Sequence, residues 1–123
     1  LLSIAILVLA AGVWVDSVKE FFGHDRYEKT EFIDPNTYQA VFLTNNQIYF
    51  GHLKDINEDY LILSDVYYVK INDSGESILV RLGSIEPHGP ISSMILNKDQ
   101  VLFWENLKPD SQVITTIKSI ENK

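Results

Sequence analysis

The first fifteen residues constrain this chain most, because none of them carries a charge. They read LLSIAILVLAAGVWV, and apolar residues would surround every face of a helix drawn through them. A helix that merely packs on the surface of a globular domain has an apolar stripe on one side only. We therefore expect residues 1–29 to form an N-terminal apolar helix with a polar extension, its apolar part covered by lipid or by copies of itself.

Three interpretations of residues 1–15 stay open. Fifteen helical residues span about 22 Å, less than the ~30 Å hydrocarbon core, so the segment fits part of a transmembrane anchor with Trp14 at the interface. It also fits a signal peptide with a small-residue cleavage site at residues 10–12, or a helix that packs against sister helices in a polymer. The side chains expected to make these contacts are Leu1, Leu2, Ile4, Ile6, Leu7, Val8, Leu9, Val13, Trp14 and Val15.

An apolar N-terminal helix followed by a β-rich head resembles the architecture of pilin-like subunits, and this resemblance implies assembly through the helix. Many such helices have a glutamate near their start, whereas position 5 is Ala5 here. After Val15 the chain becomes polar but keeps spaced apolar residues as far as Gly23, a usual helix stop. Within that stretch, Phe21 and Phe22 are predicted subunit contacts.

Composition limits the remaining 90 or so residues to one compact domain. With 46% hydrophobic and 22% charged residues, the 123-residue chain has the make-up of a folded protein. Ten basic against seventeen acidic residues give a net charge of -7, which disfavours nucleic acid as a partner. The chain has no cysteine, so disulfides and thiolate sites are excluded.

The rest of the chain alternates short apolar runs with turn signals, which is typical of an antiparallel β fold. A linker is predicted over residues 30–37, and a head domain over residues 38–123. We expect strands over residues 38–44, 47–53, 60–64, 66–71, 77–82 and 100–106, with a two-residue turn at Asn45-Asn46 and a bulge or bend at Gly51. The predicted fold is therefore mainly β, a small antiparallel barrel or a sandwich of five to six strands.

A short C-terminal helix completes the predicted head. Asp110 is placed to cap a helix over residues 111–121, in which Val113, Ile114 and Ile117 recur at three- and four-residue spacing. These residues give the helix one apolar face to bury on the sheet.

Residues 43–65, LTNNQIYFGHLKDINEDYLILSD, resemble the first motif of Sm-like small barrels. The resemblance implies an SH3/Sm-like barrel but not RNA binding, because Asn46 replaces the turn glycine and residues 101–106 lack an Arg-Gly pair. The whole pattern, including Asp65-Val-Tyr-Tyr68 and His88-Gly-Pro90, is also similar to single-pass membrane-anchored proteins of small-genome, host-associated bacteria. That second resemblance implies a cell-membrane or cell-surface protein with an extracytoplasmic head.

No pattern of residues predicts catalysis, a cofactor, a metal or a small-molecule substrate. His24, His52 and His88 lack the spacing of a zinc site or a catalytic triad. The strand aromatics are more informative, because neighbouring residues of a strand point to opposite faces. One member of each pair is expected to be exposed, and Tyr67, Tyr68 and Trp104 are therefore predicted as possible subunit contacts.

The sequence thus favours a non-catalytic cell-surface structural subunit. It would self-assemble into a filament or a ring, as a homo-oligomer, through its apolar helix and its β head. Membrane or sister helices would surround residues 1–15, which we call the leader. The alternative is a monomeric, membrane-anchored binding module that contacts another envelope protein through a barrel edge or through the turn at residues 83–93.

Overall fold

The computed structural model describes residues 30–122, and they form a mainly β unit. The strands are β1 (Gln39–Leu43), β2 (Ile48–Ile56), β3 (Tyr60–Ile71), β4 (Ser77–Arg81), β5 (Ser93–Asn97) and β6 (Val101–Asn106), and helix α1 is Gln112–Glu121. The mainly β prediction and the C-terminal helix are confirmed. The predicted N-terminal helix at residues 1–29 lies outside the described residues. Between residues 30 and 122, no helix has the length and apolar character needed to cross a bilayer.

All strand pairs are antiparallel, and β3 organises the sheet. The strand order is β4-β3-β2-β1-β6, and β5 also pairs with β3. The first part of β3, residues 60–64, pairs with β5, and residues 67–71 pair with β4. Asp65 separates the two parts in a left-handed conformation with φ 51°. The prediction of two separate strands here was wrong, because the chain continues through Asp65 as one long, kinked strand.

Gly51 lies where β2 and β3 change register, between Phe50 and His52. A Cβ atom at this position would lie 2.6 Å from the carbonyl oxygen of Ser64 and 2.7 Å from Cγ of Leu63. Both distances are shorter than van der Waals contact, so only glycine allows the two strands to approach this closely. The predicted irregularity at Gly51 is confirmed.

The loops differ from the sequence prediction in detail. The first hairpin has a three-residue loop, since Leu43 donates to the Gln47 carbonyl at 2.9 Å, and only Asn46 has a positive φ, of 68°. The predicted two-residue turn was therefore wrong, and the chain uses the longer turn with one left-handed residue. Strand β5 was also missed, because residues 93–97 have no alternating pattern and are held as a strand by pairing with β3.

The core has two clusters, one on each side of the sheet. One is built from Val41, Leu43, Leu53, Leu61, Leu63 and Val66. The other combines Ala40, Phe50 and Tyr67 with Ile117 of α1. Ile114 and Ile117 are buried, which confirms the predicted apolar face of the helix. The predicted cap was one residue early, since Ser111 rather than Asp110 accepts the bond from Ile114 N–H, at 3.2 Å.

A fully buried polar side chain, Gln39, joins several segments. Its Nε2 donates to the Asp34 carbonyl at 2.8 Å and to Oδ1 of Asn106 at 3.0 Å, and its Oε1 accepts from Leu53 N–H at 2.9 Å. Thr37 adds a bond from its hydroxyl to the carbonyl of Leu107 at 2.9 Å. Residues 34–37, β1, β2 and the end of β6 are thereby held together.

We predict that Gln39→Leu lowers the free energy of unfolding by about 1–3 kcal/mol, because the buried N–H of Leu53 loses its acceptor. Urea unfolding measures the change. Gln112→Leu at an exposed helix position is the matched control, and we expect it to stay within about 0.5 kcal/mol of the wild type. Equal effects of the two substitutions would contradict the role assigned to Gln39.

Gly51→Ala is predicted to destabilise the head by about 1–3 kcal/mol, since the added methyl group would press on Leu63 and on the β3 backbone. Ser77→Ala, at an exposed position of β4, is the control. Thermal unfolding followed by circular dichroism measures both, and an unchanged midpoint in Gly51→Ala would show that the close approach is not required.

Candidate interaction surface

The predicted contact aromatics lie in different environments. Tyr67 is 1% exposed and belongs to the core cluster under α1. Tyr68 is half-buried on the opposite face, and Trp104 packs against the first core cluster. The exposed member of the Phe103-Trp104 pair is Phe103, at 50%. Phe21 and Phe22, the other two predicted contacts, lie outside the described residues.

A line of apolar side chains crosses the sheet on the face that carries α1. Phe103 of β6 faces Phe42 of β1, which faces Ile48 of β2. Tyr49 of β2 pairs with Tyr68 of β3, so the next residues along the two strands, Ile48 and Val69, lie side by side. Val69 in turn faces Leu79 of β4. Residues directly opposite each other in a sheet point to the same side. We call Phe103, Phe42, Ile48, Val69 and Leu79 the apolar row.

Helix α1 covers the neighbouring line of residues and leaves Phe103, Ile48 and Val69 of the apolar row exposed, whereas Phe42 and Leu79 pack against the covered line. Ala40, Phe50 and Tyr67 lie two residues along their strands from Phe42, Ile48 and Val69, and Ile117 packs on them. In the apolar row, Phe103 and Val69 are about half exposed. A contiguous apolar surface of this kind marks an interaction site more often than scattered exposed residues do.

The aromatic end of the apolar row is preorganised. The rings of Phe42 and Phe103 stack with centroids 4.3 Å apart and an interplanar angle of 21°. A partner that contacts this pair would not have to order two loose side chains, so the entropy cost of binding is reduced.

The sequence could not have selected Phe103 over Trp104 by alternation alone. The register of β6 against β1 shifts between Phe42 and Leu43, so Leu102 is an extra residue in the ladder. Such a shift reverses which side chains face the core. The signal that could have identified Phe103 is its pairing with another aromatic residue on β1.

The loop over residues 83–93, the other surface suggested by the sequence, is fixed by Glu86. The Tyr68 hydroxyl donates to one oxygen of the Glu86 carboxylate, and Gly83 N–H donates to the other at 2.6 Å. The bond to Glu86 raises the pKa of Tyr68 to about 12, with burial as a smaller cause. The same bond holds the pKa of Glu86 below its ordinary value.

The two described histidines have different surroundings. Nδ1 of His52 lies 3.1 Å from the Thr37 carbonyl oxygen, and its ring lies against Tyr38 with centroids 4.0 Å apart. His88 is exposed in the loop, and His24 lies outside the described residues. Among residues 30–122, no three His, Asp or Glu side chains converge in a way that could hold a metal ion.

We predict that Glu86→Gln lowers the pKa of Tyr68 from about 12 toward 10, because the charged acceptor is removed. The stability that the wild-type pair contributes should be full above the ordinary pKa of a glutamate and below pH ~10, because both partners then have the protonation states of the bond. It should be lost as the pH falls through the lowered pKa of Glu86 or rises through the folded-state pKa of Tyr68. Carbon-13 NMR of the tyrosine Cζ resonances measures the titration. Glu76→Gln is the control, and an unchanged Tyr68 titration in Glu86→Gln would contradict the assignment.

Comparison with known proteins gives no family assignment. No protein-family model matches the chain, and no curated protein shows significant similarity to it.

Proposed function

We propose that this protein is a non-catalytic structural subunit of the cell surface that self-assembles into a filament or a ring. The apolar leader anchors the chain or packs against the leaders of other copies, and the β head, facing away from the cytoplasm, contacts neighbouring heads. The observation that carries the proposal is the apolar row, which gives the head a surface suited to contact with another protein.

The leader supports the proposal through its composition. An uncharged stretch of fifteen residues with no polar face is costly to leave in water, at roughly 25 cal/mol for each Å² of apolar surface. Lipid or sister helices would remove that surface from water. Both environments are consistent with a surface subunit.

The apolar row is too small to hold two heads together without a contribution from the leader. Five strands about 4.8 Å apart give a row roughly 19 Å long and one residue wide. Stable interfaces bury about 800 Å² on each partner, so a contact through this row alone would be weak. Leaders that share one membrane or bundle would raise the effective concentration of the heads and make a weak contact sufficient.

We also propose that the sheet curls into a small SH3/Sm-like barrel. Strand β5 lies on β3 and β6 lies on β1, yet only Lys98–Gln100 connects β5 to β6. Four Cα steps reach at most about 14 Å, whereas in a flat sheet the two strands would lie about 19 Å apart. The short connection therefore favours a strongly bent sheet, as do the register shifts in β2 and β3.

The alternative function is a monomeric, membrane-anchored module that binds another envelope protein. The ordered loop over residues 83–93 favours it, because Glu86 holds the loop against Tyr68 of β3 in a defined shape. A fixed loop offers a specific surface at a lower entropy cost than a mobile one.

We predict that the full chain in mild detergent forms assemblies larger than a monomer, and that Phe103→Ser raises the concentration required for assembly by roughly fivefold. Replacing half-exposed Phe103 removes about 1 kcal/mol of apolar burial per contact. Light scattering coupled to size-exclusion chromatography, with negative-stain electron microscopy, measures the assemblies. Ile91→Ser, an exposed position outside the apolar row, is the matched control.

A wild-type chain that stays monomeric at all concentrations, in detergent and in lipid vesicles, would overturn the proposed assembly. Stoichiometric co-purification of one envelope protein with that monomer would favour the binding module instead. Assembly that is insensitive to Phe103→Ser but lost in Val8→Asp would place the contact in the leader alone.

A further inference from the structure

A second surface feature of the head is a groove between α1 and the outer strand of the sheet. It has a volume of about 470 Å³ and lies among β3, β4, the start of the loop after β4 and the end of α1. Its apolar lining comes from Leu79, Val80, Ile85 and Ile120, with Tyr67 as an aromatic wall. A cleft of this size fits one or two aliphatic side chains.

The groove contains a buried polar atom that its surroundings do not satisfy. The hydroxyl of Tyr67 is enclosed, the residue is 1% exposed, and the hydroxyl donates to no acceptor within the described part of the chain. Burial is the main cause that raises the pKa of Tyr67, against a smaller lowering by the Arg81 side chain nearby. Since Arg81 can only donate, the hydroxyl keeps its proton and still lacks an acceptor. A buried hydroxyl without an acceptor destabilises the fold, and a ligand with an acceptor oxygen would recover that loss.

The charges around the groove disfavour an anionic ligand. Arg81 and Glu121 line its rim, and Arg81 also forms an exposed ion pair with Asp65 at 3.4 Å. Glu121 accepts a bond from the Tyr38 hydroxyl at 3.1 Å. One cation among two carboxylates leaves a net negative charge, which disfavours an anionic acceptor such as a carboxylate. An amide carbonyl is the acceptor that fits this balance.

The groove lies beside an unpaired strand edge. At the two ends of the β3-β4 ladder, Asn72 N–H donates to Glu76 at 2.9 Å and Leu82 N–H donates to Val66 at 2.8 Å. Because bonded pairs alternate along an antiparallel ladder, Ile78 and Val80 turn their backbone groups toward β3. Ser77 and Leu79 therefore turn theirs outward, and β4 ends the strand order among residues 30–122.

We propose that the groove and the outer edge of β4 together bind an extended, uncharged peptide segment of a partner protein. The segment adds a strand to β4 through the outward backbone groups of Ser77 and Leu79. One aliphatic side chain enters the groove, and a carbonyl of the same segment accepts from the Tyr67 hydroxyl once the flexible side chains at the rim move aside. This site does not require self-assembly, and it gives the alternative function a specific location.

The test titrates acetyl-Ser-Thr-Leu-Thr-Ser-amide into the nitrogen-15-labelled full chain in detergent and follows the backbone amide resonances. We expect the peptide to shift the amides of residues 77–85. Tyr67→Phe should weaken binding roughly three- to tenfold, because one hydrogen bond is lost while the fold is kept. Ser77→Pro should weaken it to a similar extent, since proline at a strand edge removes only an outward N–H. Tyr49→Phe, on the opposite face, is the control.

Each outcome bears on the proposal. The proposal is supported if Tyr67→Phe and Ser77→Pro both weaken binding and if replacing the central leucine of the peptide by serine abolishes binding. Equal affinities in wild type and in Tyr67→Phe, or equal binding of N-acetylleucine methylamide and of the peptide, would overturn it. Shifts at residues 77–85 that appear on concentrating the chain without peptide would identify a second copy as the occupant. Light scattering on the same variants reports assembly separately.

Discussion

The buried amide of Gln39 is the interaction on which the organisation of the head most depends. It satisfies one backbone N–H of β2 and donates to two carbonyls of residues 34–37, and it bonds to Asn106 at the end of β6. Asp34 and Leu53 lie near Gln39 in sequence, whereas Asn106 is 67 residues away. A polar side chain that must find all its partners in the interior allows only one arrangement of the strands around it.

A mismatch between the helix and the sheet leaves part of this face exposed. With ten residues, α1 is about 15 Å long, whereas the five strands measure about 19 Å across. One short helix can bury only one line of residues on that face, and Ile117 is directed at the line that includes Phe50 and Tyr67. The apolar row stays uncovered because the described residues contain no second element to pack on it.

The apolar row and the groove share Leu79, so the two proposed contacts meet on β4. A peptide strand added to β4 would place its side chain beside Leu79 and lengthen the row across the sheet. Binding in the groove and assembly through the row would then affect each other. The sign of that coupling depends on whether the bound segment extends the surface or blocks a neighbouring head.

The sequence by itself determined the strand-rich class, the C-terminal helix with its buried face, the irregularity at Gly51 and the uncharged character of residues 1–15. These properties follow from local periodicity, from turn residues and from composition. Only the tertiary structure decided that Asp65 kinks one long strand, that residues 93–97 pair with it, and that Phe103 rather than Trp104 is exposed. The physical reason is that all three depend on how strands pair, and pairing is set by residues that are distant in sequence. A register shift of one residue, for example, reverses the faces of a strand.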